Sequence, residues 1–227
     1  FKDFQYISLI PQGDQRCQLL GIYEIMRKKE YSGDNNNFIE GGYTLGVSHH
    51  KQEEGHWCGP ASSLAVIAYL ISGGEPSQQD LANDWDTDNY EYGMNTDRYN
   101  GTTSPDMARS INYWIDESWY VAKAENNSTN LWAKLKFATD YQHPANILVD
   151  TKYLSWYNGK SVNHFLTARG YSQDTDGTNK KIHLVDPHYS STYTDYHDYE
   201  PYNNVYSAVN AQSWRENTRL IVELEEK

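Results

Sequence analysis

The sequence predicts an α+β fold in which a buried helix packs on an antiparallel β-sheet. Three observations carry this. Residues 61–72 are apolar on nearly every side, which marks a helix buried all round. From about residue 146 the chain changes to short apolar or alternating runs bounded by turn residues, the pattern of strands. The helical segments come first and the strands second, which is the α+β order.

Residues 1–44 read as an extension. Within it "DQRCQLLGIYEIMRKKE" has apolar residues at roughly helical spacing and cations in its last turn, and "YSGDNNNFIEGG" reads as a loop. "TLGVSHH", residues 44–50, suits a short strand. Gly59-Pro60 then opens the buried helix, since proline fits a first turn. Gly73-Gly74 is expected to end it. A short amphipathic helix follows in "EPSQQDLANDWDT". A third lies in "TTSPDMARSINYWIDE", with Ser104 as cap and Pro105 first inside, and a fourth in "NSTNLWAKLKFATDY". The expected strands are "NILVD", "VNHFLTARGY", "KIHLVDP" and "RLIVELEE", the second and third joined by the turn-rich "SQDTDGTNK". Residues 189–213 are Tyr-rich and show no period.

The net charge of -12 argues against nucleic acid and anionic membrane surfaces as partners. The longest unbroken apolar run, Leu64–Ile71, is far too short to span a bilayer, so no membrane insertion is expected. Twenty Tyr and 7 Trp stand beside only 5 Phe. Amphipathic aromatics on an acidic background suit an exported protein that meets peptides or sugars; alternatively they fill half-buried strand positions. With Phe1 in place of an initiator Met, the expectation is a secreted or extracellular protein whose signal has been removed.

Two cysteines alone cannot build a structural zinc site or a disulfide-rich scaffold, and no cofactor or metal is expected. Cys17 and Cys58 offer either one disulfide or two thiols. Cys58 sits immediately before the buried helix. The positive end of that helix favours a thiolate, and its free N–H groups can hold a developing oxyanion. Gly59 is expected to leave room for a substrate beside the sulfur. Gln52, six residues upstream, is a candidate second oxyanion donor. A thiolate nucleophile needs a base, and the base needs an orienting group. Eight histidines compete. If "VNHFLTARGY" and "KIHLVDP" pair about a loop centred near residue 176, His164 and Asp186 lie nearly opposite each other on otherwise apolar faces. Each buried polar group there needs a partner, and each suits the other. His183 points the opposite way and falls near Arg169. A purely structural His–Asp pair remains the alternative.

The residues "QEEGHWCGPASSLAVIAYL", "SQQDLAND" and "VNHFLTARGYSQDTDGTNKKIHLVDPHY" together resemble the C39-like group of papain-fold cysteine peptidases. The resemblance covers roughly residues 45–190. It leaves the first 44 residues and the Tyr-rich tail outside, and makes residues 45–227 the catalytic domain. It implies a papain-like fold and a peptide or protein substrate. It also implies Cys58 as nucleophile, His164 as general base then acid, Asp186 as orienter and Gln52 as oxyanion donor. On this reading Asp186→Asn weakens catalysis without ending it. The best-known members are fused to membrane transporters and cut leaders after Gly-Gly; no transporter segment is present here. Two other readings stay open. The same triad serves acyl transfer to an amine, as in transglutaminases, and the fold can serve as an inert binding module. Gly41-Gly42 is a candidate processing site, or only a turn. The acidic runs 83–89 and 174–179 lack the twelfth-position Glu of an EF-hand loop and read as solvated turns.

Overall fold

The computed structural model describes residues 41–83 and 92–212, and the backbone of 220–224. These residues belong to one compact unit, Asn37–Lys227. The expected helix around residues 14–30, Cys17 and most of the acidic run 83–89 lie outside the described residues. Five helices are described: α1 (Cys58–Leu70), α2 (Gln78–Ala82), α3 (Ser104–Ile115), α4 (Ser128–Asp140) and α5 (Tyr202–Asn210). Seven strands form one sheet: β1 (Tyr43–Thr44), β2 (Tyr120–Ala124), β3 (Ala145–Asp150), β4 (Asn163–Ser172), β5 (Lys181–Asp186), β6 (Asp195–Pro201) and β7 (Leu220–Leu224). The order is β2-β7-β3-β4-β5-β6, every pairing is antiparallel, and β1 pairs with the far end of β4. None of the described helices is long and apolar enough to cross a membrane.

The sheet is covered on both faces. Ile147, Val149, Leu166, Ala168, Ile182 and Leu184 face α4 and α5. Leu148 and Phe165 face α1, α2 and α3, while Val185 packs with Ala65 of α1. Strict alternation along β3 and β4 produces this division, because successive side chains point to opposite faces. All six residues of β3 are buried, which is why "NILVD" reads as an apolar run rather than an alternating one.

The expected elements that fall on described residues appear with shifts at their ends. Helix α1 stops at Leu70 with Ile71 extended, before the glycine pair; Gly73 and Gly74 take positive φ in the turn beyond. The cap of α3 is Thr103, one residue earlier than expected; its hydroxyl accepts from the Asp106 N–H, and Ser104 is the first helical residue. The expected strand at 44–50 is reduced to Tyr43–Thr44, with Leu45 N–H still donating to the Arg169 carbonyl at 2.7 Å. The largest correction concerns the Tyr-rich segment. It forms β6 and α5, and Tyr202, Val205, Ala208 and Val209 are core residues.

Gly41-Gly42 is built into the sheet edge. A Cβ on Gly41 would fall 2.2 Å from the Gln173 carbonyl oxygen, and one on Gly42 would fall 2.4 Å from that of Tyr171. Close backbone approach to β4 is what requires glycine here. The acidic turn 174–179 satisfies itself: Asp176 accepts from the Thr178 amide at 2.9 Å and its hydroxyl at 2.6 Å, and Asp174 accepts from Asn179.

Candidate active site

Cys58 is the first residue of α1, half-buried, and carries a free thiol; Cys17, the other half of the expected disulfide alternative, lies outside the described residues. The helix is anchored to β4 by one polar side chain from each, Ser62 and Thr167. Ser62 Oγ donates to the Phe165 carbonyl at 3.2 Å, and the Thr167 hydroxyl lies 3.2 Å from the Ser62 carbonyl. This anchoring fixes the thiol relative to His164, the residue before Phe165. His164 is buried and hydrogen-bonds Cys58. Its Nε2 stands 2.8 Å from Asp186 Oδ1, which leaves Nδ1 for the sulfur.

Asp186 has no exposed surface. Four donors converge on it. His164 Nε2 and the His188 amide, each at 2.8 Å, meet Oδ1. Tyr157 Oη at 2.9 Å and Trp156 Nε1 at 3.0 Å meet Oδ2. No acceptor faces it in this set, so the group that fits is an ionised carboxylate. Burial alone would raise its pKa; the neighbouring imidazolium and these hydrogen bonds reverse that and hold it below the usual carboxylate value. Burial works against the His164 imidazolium as well, but Asp186 outweighs it and the pKa is pushed up to about 10. For Cys58 burial raises the pKa. The His164 hydrogen bond and charge, with the Phe165 and Gly59 amides, bring it below the ordinary thiol value. A lowered thiol pKa beside a raised imidazole pKa favours the thiolate–imidazolium form of the pair.

The sequence also proposes Gln52. It is buried, and its backbone N–H donates to the Pro187 carbonyl at 2.7 Å, next to Asp186. Its Nε2 donates to the Glu54 carbonyl at 2.7 Å, which uses one of its two amide hydrogens; its Oε1 is buried without a partner. His183 stands opposite Gly170, bonded to Thr44 at 2.7 Å, away from this cluster.

Gly59 serves a different purpose from the one expected. A Cβ on it would fall 2.7 Å from both Cβ and Oγ1 of Thr102. The space belongs to a neighbouring side chain rather than to a substrate. Gly59→Ala is expected to cost about 1–3 kcal/mol by overpacking, seen as a lowered thermal midpoint; an unchanged midpoint would refute the tight contact.

Three functional contacts escape the sequence. Trp156 and Tyr157 lie in short 3-10 turns between β3 and β4. Their rings are held flat against His197 (3.9 Å) and Tyr193 (4.5 Å), both from the Tyr-rich segment. His188 lies next to the His164 ring, 5.5 Å between centroids. It stays neutral: burial, then the adjacent His164 charge, lower its pKa to about 4. The signal available was the hairpin register, which carries β5's continuation past Asp186 to a place beside His164.

A thiol at a buried helix start, on a helix packed against an antiparallel sheet that presents a His–Asp pair, defines a papain-like α+β fold of the cysteine-peptidase type. The chain belongs to the Peptidase_C39 like family, whose model matches residues 44–219. That match takes in the Tyr-rich segment that the sequence resemblance left out. Among solved structures, the chain is similar to the peptidase domain of Streptococcus ComA, a bi-functional ABC transporter involved in a quorum sensing pathway. The identity is 18%, the TM-score 0.46, and the match covers 80% of this chain and 99% of that one. It is also similar to the bromelain protease from Ananas comosus in complex with the E64 inhibitor, at 13% identity and TM-score 0.48 over 83% and 100% of the two chains. UfSP from C. elegans matches at 16% identity and TM-score 0.48 over 86% of this chain and 36% of its own. Likenesses this distant say nothing of chemistry. No curated protein matches the chain.

Proposed function

We propose that this protein is a cysteine peptidase. The observation that carries the reading is the continuous chain Cys58–His164–Asp186, with the thiol pKa lowered and the imidazole pKa raised. The Cys58 thiolate attacks the substrate carbonyl carbon, and the carbonyl electron pair moves to oxygen. The Cys58 N–H, one of the first amides of α1 with no intrahelical acceptor, stabilises that oxyanion with the free amide hydrogen of Gln52. Collapse breaks the C–N bond, and the leaving amine takes the Nδ1 proton of His164. A water molecule, deprotonated by His164, then hydrolyses the thioester. Asp186 holds the imidazole so that Nδ1 faces the sulfur throughout.

The test is digestion of a peptide library, with new termini read by mass spectrometry and Cys58→Ala as control. Cleavage by the wild type that the control lacks is the expected result. Cleavage by the control at the same sites would overturn the reading. Products carrying an added amine in place of water would assign the same triad to acyl transfer.

A further inference from the structure

Helix α2 lies away from the reacting atoms, yet its side chain Gln78 is buried and bound to the loop that carries Gln52. Gln78 Nε2 donates to the Lys51 carbonyl at 2.8 Å, and Gln78 Oε1 accepts from the Glu53 amide at 3.1 Å. The carboxamide thus pairs with the backbone on both sides of Gln52, as a neighbouring strand would. Together with the Gln52 N–H bond to Pro187, this fixes the Gln52 backbone from three directions.

The other end of α2 reaches the start of α1. The Leu81 carbonyl accepts from the Met94 amide at 2.8 Å, and that of Ala82 accepts from the Thr96 amide at 2.9 Å. Thr96 and Thr102 hydroxyls are 2.8 Å apart, and Thr102 fills the space over Gly59. Ser77 and Asp80 close a reciprocal capping box that holds this one-and-a-half-turn helix together. A continuous series of contacts therefore runs from the Gln52 loop through α2 to the first turn of α1. Those are the two places that supply the oxyanion donors in the proposed mechanism.

We propose that Gln78 is a positioning residue for the oxyanion site, acting through Gln52. This rests on the peptidase reading above. Its effect falls on reactions that pass through a tetrahedral oxyanion and spares those that do not. Two probes separate the cases: acylation of Cys58 by p-nitrophenyl acetate forms an oxyanion, whereas alkylation by iodoacetamide displaces iodide without one.

Gln78→Leu is expected to slow acylation about tenfold, less than the roughly hundredfold loss typical of deleting an oxyanion donor. Alkylation and its pH profile should stay as in the wild type, which also reports an intact fold around Cys58. Gln78→Glu keeps the Glu53 bond but cannot donate to Lys51, and should fall between. Gln52→Ala should be slower still, and adding Gln78→Leu to it should change nothing further, since both act on one group. Gln78→Leu and Gln78→Glu acylating at the wild-type rate, while Gln52→Ala is slow, overturns this inference alone. So does additivity in the double variant, or alkylation falling in step with acylation in both Gln78 variants. Gln52→Ala acylating at the wild-type rate overturns the oxyanion reading and this inference with it.

Discussion

Cys58 reacts with iodoacetamide at about pH 6.5 much faster than an unassisted thiol, and His164→Ala slows that reaction about tenfold or more: this is the expected result. The sign follows from the opposing influences on each group. Burial disfavours the thiolate, and the His164 hydrogen bond and positive charge more than offset it. Removing the imidazole leaves the Phe165 and Gly59 amides against the burial penalty, so the thiol pKa climbs. A thiol of ordinary pKa is only about 1% ionised at such a pH. The lower nucleophilicity of a low-pKa thiolate recovers part of the difference, which is why the expected change is nearer tenfold than hundredfold. The wild-type rate should fall on the acid side as the depressed thiol takes up its proton. On the alkaline side the imidazolium is lost as the pH passes about 10. Between these limits the pair is charged on both members. The measurement is the mass of the peptide containing Cys58 after timed exposure, with denatured protein as the ordinary-thiol reference. A native rate equal to the denatured one near pH 6.5, or an unchanged profile in His164→Ala, would remove the ion pair and with it the basis for a nucleophilic Cys58.

How much of this was legible depends on how local the signal is. Helix α1 is written in an apolar run that needs no partner to be recognised. The β4–β5 hairpin is written in alternation and in a turn-forming loop, and together these bring His164 near Asp186. One detail is not local: the register slips between Ala168 and Gly170, where a bulge absorbs Arg169. That side chain goes to Asp198 on β6 and lies over the Tyr196 ring. A bulge of this kind depends on the neighbouring strand, which the sequence did not reveal. Strand β6 alternates weakly because it is an edge with much of its length exposed. In α5 the buried positions Tyr202, Val205, Ala208 and Val209 do follow helical spacing, but Asn and Tyr between them dilute the period. Trp156 and Tyr157 lie in turns with no period at all, so their role exists only once β6 and the 189–194 segment close over them. The Thr103 cap was missed by one residue for a simpler reason: Thr103 and Ser104 both suit the position, and burial of Ser104 inside the first turn decides between them.

Asp186→Asn is expected to lower stability by about 3 kcal/mol and to remove most of the ion pair's reactivity near neutral pH. The family resemblance implies that this change weakens catalysis without ending it. The four converging donors give that outcome a physical reason and add a cost in stability. An amide has one acceptor and one donor end, and either orientation sets its NH2 against a fixed N–H. With nitrogen at the Oδ1 place it meets the His188 amide. It also forces His164 to accept at Nε2, which moves the imidazole proton to Nδ1 against the sulfur and removes the base. With nitrogen at the Oδ2 place it meets the Trp156 indole, while Tyr157 can turn its hydroxyl to accept. The second orientation costs less and keeps Nδ1 free as a base, so activity should be weakened rather than abolished. In both orientations the negative charge that raises the His164 pKa is gone. The imidazole therefore loses its proton at lower pH, Cys58 loses its counter-charge, and the acid limb of alkylation moves upward. Thermal unfolding and the alkylation profile measured together separate the two effects. A lower midpoint with an unmoved acid limb would mean that Asp186 holds the fold without setting the charge of the pair. A moved limb at unchanged midpoint would mean that the donors around it rearrange freely, contrary to the fixed geometry of Trp156, Tyr157 and His188.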